Sequence, residues 1–477
     1  MKLNLTTSLR LLSITALATS MCASPASAAD LNGDGIDDIL VGAAGAERVY
    51  PIQGSSTDPY YPLFWTHGIP DTGFGSVVTF GDFNCDGYDD VARGMPFYNW
   101  NGPDSGQVTI AHGSANGPIE WGIIDQDGLD TRESGDQFGF ALASGDFDGD
   151  GCDDLAVGAP EEALNNAPFG VVYLYRGTVE GLVDDIRIDQ NLIWGGGHNE
   201  AGDKFGYSLV SGDFNADGYD DLAVGAPGED SPGTNGARSG QVHVLMGGDN
   251  GMTKGKLLTG LAAHQRPAPA DGDDFGVAMA VGDIDGNGLD DLVIGAPGID
   301  LDGNTDTGAG FIYYGRAWGL NFEVFLRQTH AENYDRFANA LAVGECNGDG
   351  YDEVFVGTPN EMLGGVRAGI VRGYNGSANG VSAFGWLHQG NLGAPGQNAD
   401  GDEFGASVGV ADLDGDGYNE VLIGAPGDLD ANDDAVGAVY RYSCDATGVT
   451  DTSARIDESS LGSTGVDGGA FGAVLAY

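Results

Sequence analysis

Beyond its first 28 residues, the chain alternates short apolar runs with short polar turns. Runs of β-branched and aromatic residues, such as 170–175 and 310–314, are bounded by Gly, Asp, Asn and Pro. Runs of this length and composition are typical of β-strands. No apolar period of 3.6 residues is sustained anywhere in this part of the chain, so the pattern indicates an all-β protein.

The apolar and polar segments recur as one unit written seven times. Each unit begins at a Phe, usually followed by Gly, then passes through an acidic block, an apolar run and an alternating segment. The starts lie 62 to 70 residues apart, at Phe74, Phe138, Phe205, Phe275, Phe337, Phe404 and Phe471. Each unit holds three clear strands and a weaker fourth, assigned for example to 192–194 and 324–326. Four-stranded units repeated radially form a β-propeller, and the alternative is an open solenoid.

The two ends of the chain distinguish these architectures. Residues 471–477 supply only the first strand of a unit, whereas Asp30 starts an acidic block with no Phe-Gly strand before it. Together the two ends complete one unit, which gives a ring closure and removes exposed edges. We therefore predict a seven-bladed β-propeller of four-stranded antiparallel blades, closed by pairing the C-terminal strand with the N-terminal repeat. The propeller is predicted to span 29–477, with a closing blade formed by 471–477 plus 29–73.

The first 28 residues have the pattern of a secretory signal peptide. Lys2 and Arg10 flank the start, an apolar run covers 11–18, and Ala26-Ser27-Ala28 provides an A-x-A site. A membrane anchor is disfavoured because the apolar run is too short to cross a bilayer. We predict a signal peptide at 1–28, cleavage after Ala28, and a secreted, extracellular protein with no membrane insertion.

The acidic block has the ligand pattern of a calcium loop. It reads D-x-[DN]-x-[DN]-G-x-x-[DE], with side-chain oxygens at positions 1, 3, 5 and 9 and a backbone carbonyl at position 7. Oxygen-only donors suit Ca²⁺, whereas zinc favours His or Cys. Up to seven Ca²⁺ ions are predicted. The predicted ligands are Asp30, Asn32, Asp34, Ile36, Asp38; Asp82, Asn84, Asp86, Tyr88, Asp90; Asp146, Asp148, Asp150, Cys152, Asp154; Asp213, Asn215, Asp217, Tyr219, Asp221; Asp283, Asp285, Asn287, Leu289, Asp291; Glu345, Asn347, Asp349, Tyr351, Glu353; and Asp412, Asp414, Asp416, Tyr418, Glu420.

Two other interpretations of this block are disfavoured. An EF-hand needs a bidentate acid at position 12, but that position holds residues such as Val41, Val157 and Ile294, and strands flank the block. Asp-Gly turns also occur without metal, but seven copies in one register favour calcium. Since the carboxylates of each block repel one another without an ion, calcium binding is expected to be coupled to stability.

The charge of the chain limits the classes of partner that it can bind, and its cysteines bear on the compartment in which it folds. The chain has 72 Asp and Glu against 19 Lys and Arg, a formal net charge of −53. Such a surface repels nucleic acid and anionic membranes, so neither is an expected partner. Export would permit disulfides among Cys85, Cys152, Cys346 and Cys444. Their spacing does not choose among the three pairings, and cysteines that merely fill turn positions fit equally well.

The Phe-Gly start, the calcium block and the Gly-Ala-Pro end resemble the FG-GAP repeat of integrin α-subunits and of many bacterial exported proteins. The resemblance implies a seven-bladed propeller, a calcium loop between the first and second strands of each blade, and extracellular adhesion or recognition. The sequence departs from the repeat in places. Glu345 replaces the first Asp of a block, Ala338 replaces the Gly of a Phe-Gly pair, and 94–96 and 42–44 replace Gly-Ala-Pro.

The favoured function is a secreted, calcium-binding, integrin-like module that recognises an extracellular protein or glycan. Longer loops are expected opposite the calcium turns, where Phe97, Tyr98 and Trp100 form either a stacking patch or a cover for a blade edge. No catalytic motif is present, so no enzyme and no catalytic residue are predicted. The alternative is a polysaccharide-cleaving enzyme, a lyase or hydrolase, that uses Tyr334, Arg336 or His330. A self-assembling surface protein is a third interpretation.

Overall fold

The computed structural model describes residues 29–43, 48–56, 65–66, 71–99, 102–115, 117–131, 133–164, 167–230, 238–260, 270–390, 398–429, 436–457 and 471–476. The signal peptide predicted at 1–28 lies outside these residues. Seven four-stranded antiparallel sheets form the blades, and two short hairpins lie beside blades 3 and 6. In the described part of the chain, no helix has both the length and the apolar character needed to cross a membrane.

The blades are numbered by the order of their acidic blocks, and their strands have the following bounds. Blade 1 contains β1 (Ile39–Ala43), β2 (Arg48–Ile52) and β3 (Trp65–Thr66). Blade 2 contains β4 (Val77–Gly81), β5 (Asp90–Gly94), β6 (Val108–His112) and β7 (Ile119–Ile124). Blade 3 contains β8 (Ala141–Gly145), β9 (Asp154–Ala159), β12 (Val171–Arg176) and β13 (Val183–Ile188), with the hairpin β10 (Ala163–Leu164) and β11 (Ala167–Pro168) between its second and third strands.

The second half of the ring repeats the same order. Helix α1 (Gln190–Trp194) leads into blade 4, which contains β14 (Ser208–Gly212), β15 (Asp221–Ala226), β16 (Gln241–Met246) and β17 (Thr253–Thr259). Blade 5 contains β18 (Met279–Gly282), β19 (Asp291–Ala296), β20 (Ala309–Tyr314) and β21 (Asn321–Leu326). Blade 6 contains β22 (Ala340–Gly344), β23 (Glu353–Thr358), β26 (Ile370–Asn375) and β27 (Ser382–Leu387), with the hairpin β24 (Met362–Leu363) and β25 (Val366–Arg367). Blade 7 contains β28 (Ser407–Ala411), β29 (Glu420–Ala425), β30 (Ala438–Asp445) and β31 (Gly448–Ile456), and β32 (Phe471–Ala476) returns to blade 1.

The innermost strands form a closed ring. They follow the order β4, β8, β14, β18, β22, β28 and β32, and each contacts its two neighbours, with β32 next to β4. Strand β32 pairs antiparallel with β1, which places Leu40 opposite Ala476 and Val41 opposite Leu475. The ring of Phe471 lies 5.3 Å from that of Tyr50 in an edge-on arrangement. The predicted seven-bladed propeller and its closing strand pair are confirmed.

The core lies between neighbouring blades rather than along a central axis. Each Phe that starts a unit is buried, at 3% exposure or less. Phe205, for example, packs in one apolar cluster with Leu174 of blade 3 and Leu222 of blade 4. Because every sheet buries both faces against its neighbours, each blade supports the next. The whole ring therefore holds the loops at its two ends in fixed positions.

One of the two fourth strands that were assigned from the sequence is a wrong prediction. Residues 192–194 belong to α1, which Asp189 caps by accepting a hydrogen bond from the Leu192 N–H. The fourth strand of blade 3 is β13, whose first four residues are exposed. An outermost strand has little apolar burial to mark it, so a short apolar helix beside it gave the stronger signal. Residues 324–326 lie in β21, as predicted.

Two disulfides settle the cysteine alternatives. Cys85 bonds to Cys152 and Cys346 bonds to Cys444, across 67 and 98 residues of sequence. The first bond joins the acidic blocks of blades 2 and 3. The second joins the acidic block of blade 6 to β30 in blade 7. Both bonds therefore link neighbouring blades.

Candidate metal centres

Seven acidic loops lie at one end of the propeller. Six connect the first strand of a blade to its second strand, and the loop of blade 1 leads into β1, which pairs with β32. In the loop of blade 3, the carboxylate of Asp146 at position 1 accepts backbone N–H groups from Gly149 (2.8 Å), Asp150 (3.1 Å) and Gly151 (3.0 Å). Asp150 at position 5 accepts the N–H of Cys152 at 3.0 Å. These bonds wrap the backbone around the first carboxylate, so the side chains at alternate positions point toward a common centre.

The acid at position 9 anchors each loop to the sheet. In blade 3, Asp154 Oδ2 accepts the N–H of Phe147 at 3.2 Å, and its Oδ1 accepts the N–H of Gly177 at 2.9 Å. Gly177 starts the turn from β12 to β13, so the acidic loop and the turn between the third and fourth strands share one end of the blade. This is the face assignment that antiparallel strands predict. The opposite end carries the blade connectors and the loops between second and third strands.

Each position-9 acid lies in surroundings that disfavour its ionised form. Burial is the main cause, and repulsion from neighbouring loop carboxylates adds to it. The pKa is raised to about 7 at Asp38 and to about 8 at Asp90, Asp154, Asp221, Asp291, Glu353 and Glu420. A cation in the loop would relieve both causes, which makes these residues a good fit for a bound metal ion.

Carboxylate oxygens converge most closely in four of the loops, where the atoms that could bind one ion lie within 4.8 Å of one another. These groups are Asp146, Asp148 and Asp150; Asp283, Asp285 and Asp291; Glu345, Asp349 and Glu353; and Asp412, Asp414 and Glu420. Bonds of about 2.3–2.6 Å from one Ca²⁺ ion require separations of this order. These loops could therefore hold a metal ion.

Four loops have Asn at position 3 and hold it in the same orientation. In loops 1, 2 and 4, and also in loop 6, whose carboxylates converge, the amide Nδ2 faces the position-9 carboxylate. Asn84 Nδ2, for example, lies 3.3 Å from both oxygens of Asp90, and Asn215 Nδ2 lies 3.3 Å from Asp221 Oδ2. With the amide turned this way, its nitrogen takes the place of a ligand oxygen. An ion in these loops would require the Asn oxygen to face inward.

Sequence reasoning missed the acid at position 8. In blade 4, Asp220 Oδ2 accepts the N–H of Asp146 in the preceding loop at 3.0 Å, and the Asp220 N–H donates to the Asp146 carbonyl at 3.1 Å. We call this reciprocal pair the loop clasp. The carboxylate half of the clasp recurs between Asp89 and Asp30 (2.7 Å), Asp153 and Asp82 (2.8 Å), Asp290 and Asp213 (2.9 Å), Asp352 and Asp283 (2.8 Å), and Asp37 and Asp412 (2.6 Å). The sequence shows this acid as part of an acidic pair at positions 8 and 9 in six blocks, whereas the seventh block has Asn419 at position 8.

Positions 4 and 7 also join neighbouring loops. Gly149 at position 4 has a φ of +75°, and a Cβ there would lie 2.5 Å from Cε1 of Tyr219, the position-7 residue of the next loop. Only glycine satisfies both the backbone and the close ring. In loop 2 the same position holds Cys85, with a φ of +56°, which bonds to the position-7 Cys152. The first disulfide thus replaces a glycine–tyrosine contact made elsewhere in the ring.

The opposite end of the propeller does not assemble the residues proposed for catalysis. His330 lines a small cavity with Arg327, Glu361, Arg372 and Trp386, whereas Tyr334 and Arg336 are absent from its lining. Arg336 instead faces Asp274, at 3.4 Å.

The aromatic segment in blade 2 is only partly described. Tyr98 packs against the apolar cluster that contains Phe74 and Met95, which favours a role in covering the blade edge. Trp100 lies outside the described residues.

Comparison with family models finds the repeat throughout the chain. The FG-GAP repeat model matches residues 138–175, 205–245, 275–313, 337–374 and 404–440. The FG-GAP-like repeat model matches residues 23–92. The five FG-GAP segments cover the first strand, the acidic loop and the next strands of blades 3 to 7, and the segment 23–92 runs from the acidic loop of blade 1 into β5 of blade 2.

The curated relatives align with only part of this chain, and each of them is much longer than the aligned segment. Phosphatidylinositol-glycan-specific phospholipase D of Bos taurus is 32% identical over 200 residues, covering 39% of this chain and 23% of the relative. Integrin alpha-PS2 of Drosophila melanogaster is 34% identical over 236 residues, covering 46% and 15%. Integrin alpha-5 of Xenopus laevis is 31% identical over 229 residues, covering 46% and 20%. The similarity therefore concerns a minor part of each relative's length.

The solved structures that align with most of this chain have low TM-scores and low sequence identity to it. The periplasmic gluconolactonase PpgL of Pseudomonas aeruginosa has a TM-score of 0.48 at 13% identity, covering 88% of this chain and 96% of that one. The rhamnogalacturonan lyase YesW has a TM-score of 0.38 at 13% identity, covering 90% and 69%. At these low scores the likenesses do not bear on function.

Proposed function

Because this chain belongs to the family of FG-GAP repeat propellers, we propose that it is an extracellular, calcium-dependent recognition module that binds a protein or a glycan. The observation that carries the proposal is the ring of seven acidic loops, each with buried carboxylate and open ligand positions at one end of a rigid scaffold. Calcium would fix these loops, and the opposite end would present the recognition loops. The proposal includes export after cleavage of residues 1–28.

Calcium is supported by the chemistry of the loops. Their donors are carboxylate, amide and backbone oxygens, and four loops bring carboxylate oxygens within 4.8 Å of one another. A hard, flexible-geometry cation such as Ca²⁺ suits this donor set better than zinc. The 35 residues predicted from the sequence remain the proposed ligands, with position 7 acting through its carbonyl.

Recognition is supported by the relatives and by the layout of the ring. Two of the relatives are integrin α-chains, and both align with this chain over more than 220 residues. Loops at the end opposite the acidic loops vary from blade to blade, and variable loops on a rigid scaffold commonly carry binding. The net charge of −53 argues against nucleic acid and anionic membranes as the ligand.

The test is a binding screen on the mature chain. Arrays of glycans and extracellular matrix proteins are probed with calcium and then with chelator, and a melting curve is recorded under each condition. We expect calcium-dependent binding to one class of ligand. Absence of binding by a folded, calcium-loaded protein would contradict the recognition function. The variant Asp148→Ala removes one loop ligand at the end opposite the recognition loops. It therefore separates loss of calcium from loss of the ligand-binding face.

A polysaccharide-cleaving enzyme is the second candidate. The cavity that contains His330, Arg372 and Trp386 favours it, because cationic and aromatic side chains suit an acidic sugar. Burial and the repulsion of Asp335 raise the pKa of Glu361 in the same cavity to about 7, which suits a general acid. Release of new chain ends from acidic polysaccharides, lost in Glu361→Gln and retained in Asp148→Ala, would support this candidate over the first.

A further inference from the structure

A cleft of about 560 Å³ lies between blades 3 and 4, beside the acidic loop of blade 3. Strands β12 and β13 form one wall, the turn from β16 to β17 forms the other, and α1 lies at one end. Small-molecule sites in proteins commonly have volumes of this size. The cleft is therefore large enough to hold a ring-shaped ligand.

The corresponding space between other blades is filled by an aromatic ring. Trp121 is a bulge residue that the pairing of β6 with β7 leaves out, and its ring stacks on His112 with centroids 4.8 Å apart. The same ring lies over Gly181 in the turn of blade 3, where an added Cβ would be 3.0 Å from Trp121 Cζ2. In blade 5, Tyr314 at the end of β20 is buried, and its hydroxyl lies 3.6 Å from the position of a Cβ on Gly380 in the turn of blade 6. Each ring closes the space between its own blade and the next.

Blade 3 has a charged residue at both of these positions. Its bulge residue is Asp185, which the pairing of β12 with β13 leaves out, and β12 ends in Arg176 at the register of Tyr314. Both side chains are exposed. Among the described residues, no atom lies within 4 Å of a Cβ added to Gly251, the turn glycine of blade 4. The cleft is therefore the space that a ring occupies between other blades.

The lining of the cleft combines an apolar floor with polar groups of both charges. Leu174 and Ile188 belong to the floor and are 4% and 1% exposed. Four charged side chains of the lining are Arg176, Lys254, Asp185 and Asp249. The two cations only donate hydrogen bonds and the two carboxylates only accept them, whereas a hydroxyl group does both. Since the two signs balance, these four groups suit a neutral ligand that carries several hydroxyl groups.

Neighbouring side chains position two of these charged groups. Asp249 Oδ1 accepts a hydrogen bond from the Tyr219 hydroxyl at 2.6 Å. Lys254 Nζ lies 4.1 Å from the centroid of the Trp194 ring. Two ligands proposed for the calcium of loop 3, Asp148 and Asp154, also line the cleft. Calcium would offset their charge, so the cleft is balanced in the calcium-loaded protein.

We propose that this cleft binds a neutral sugar unit of a glycan. The apolar C–H face of a pyranose ring would pack on the floor, in the space that an aromatic ring fills between other blades. The hydroxyl groups of the sugar would reach the four charged side chains. The proposal rests on the recognition function in naming a glycan as the ligand, but it does not involve the loops at the opposite end of the propeller.

The test is isothermal titration calorimetry on the calcium-loaded mature chain. The neutral probes are trisaccharides of glucose, galactose, mannose and N-acetylglucosamine, and we expect at least one of them to bind. Trigalacturonate serves as an acidic probe and N-acetyltryptophanamide as an aromatic probe. Binding of only the acidic probe, binding of only the aromatic probe, or no binding at all would overturn the proposal.

A variant that fills the cleft locates the site. Asp185→Trp gives blade 3 the residue that blade 2 has at the same bulge, and we expect affinity for the neutral trisaccharide to fall about tenfold or more. Glu323→Trp is the matched control, because Glu323 is the residue that the pairing of β20 with β21 leaves out in blade 5. This control is expected to bind with wild-type affinity.

A second variant keeps the result interpretable. Arg176→Tyr reproduces the residue of blade 5 at an exposed position and should weaken binding in the same way. If Asp185→Trp does not fold, Arg176→Tyr decides. Loss of binding in both variants but not in Glu323→Trp would support the proposal. Equal affinity in the wild type and both cleft variants would overturn the cleft as the site, while the recognition function would stand.

Discussion

Buried carboxyl groups in this molecule differ in what faces them. In blade 4, Asp203 and Glu229 lie together, Glu200 adds a further negative charge nearby, and Gln190 Nε2 donates to Glu229. Burial and mutual repulsion raise the pKa of Asp203 to about 8, and mainly burial raises that of Glu229 to about 7. One proton shared between the two acids satisfies this arrangement, with Asp203 as the donor.

This pair predicts a loss of stability with rising pH. Both pKa values are raised above the unfolded values of about 4, so the stabilisation is complete below about pH 4 and is lost as pH rises through 7 to 8. Asp203→Asn retains a donor toward Glu229 and an acceptor for the Glu200 N–H. We expect melting temperatures between pH 5 and 9, at fixed calcium, to fall less in Asp203→Asn than in the wild type. An exposed control, Glu180→Gln, should follow the wild type; equal slopes in all three proteins would contradict the shared proton.

The loop clasp makes a second prediction at the scale of single residues. Asp220→Ala removes the acceptor of the Asp146 N–H, and a backbone donor left unpaired costs about 1–3 kcal/mol. Asp220→Asn keeps an acceptor oxygen and should cost much less. Urea unfolding of the calcium-loaded proteins measures the difference. Similar losses in the two variants would show that the charge of Asp220, not its acceptor, stabilises the joint.

At the scale of the element, the acidic loop was predictable because its ligands repeat at fixed spacing in one short segment. The Asp doublet was visible as well, but its partner lies in the preceding blade, about 70 residues away in sequence, and no local spacing reveals that contact. The Cys85–Cys152 bond escaped for the same reason. The fourth strand of blade 3 escaped because β13 is exposed and charged, so tertiary pairing, not apolar alternation, defines it.

Removal of metal tests the loop as an element. Without an ion, the carboxylates of each loop face one another, and the position-9 acid is buried with a raised pKa. We expect chelation to lower the melting temperature, because an ion bound only by the folded state stabilises that state. Differential scanning calorimetry with calcium, then with excess chelator, measures the shift. A melting temperature that does not change in excess chelator would contradict calcium binding by the loops.

At the scale of the whole molecule, the stability of the ring depends on seven similar joints, each formed around the first strand of one blade. At the closing joint, where β32 pairs with β1, no covalent connection links the two strands. Phe471 of β32 and Phe205 of blade 4 are both fully buried at equivalent positions. If the closing joint is as firm as the others, Phe471→Ala and Phe205→Ala should lower the melting temperature by similar amounts, each costing about 3–5 kcal/mol. A much smaller effect of Phe471→Ala would mean that the closing strand is detached for much of the time.

The antiparallel pairing of β1 with β32 also determines how the ring would respond to tension. The start of β1 lies beside the end of β32, with Leu40 opposite Ala476. A pull on the two ends of this pair would separate Leu40 from Ala476 first and then Val41 from Leu475, one rung after another. A pull applied across two intact blades would instead load several strands in shear at once. The propeller should therefore open at low force when the force is applied to the ends of the β1–β32 pair. It should withstand a higher force when the force is applied across two intact blades.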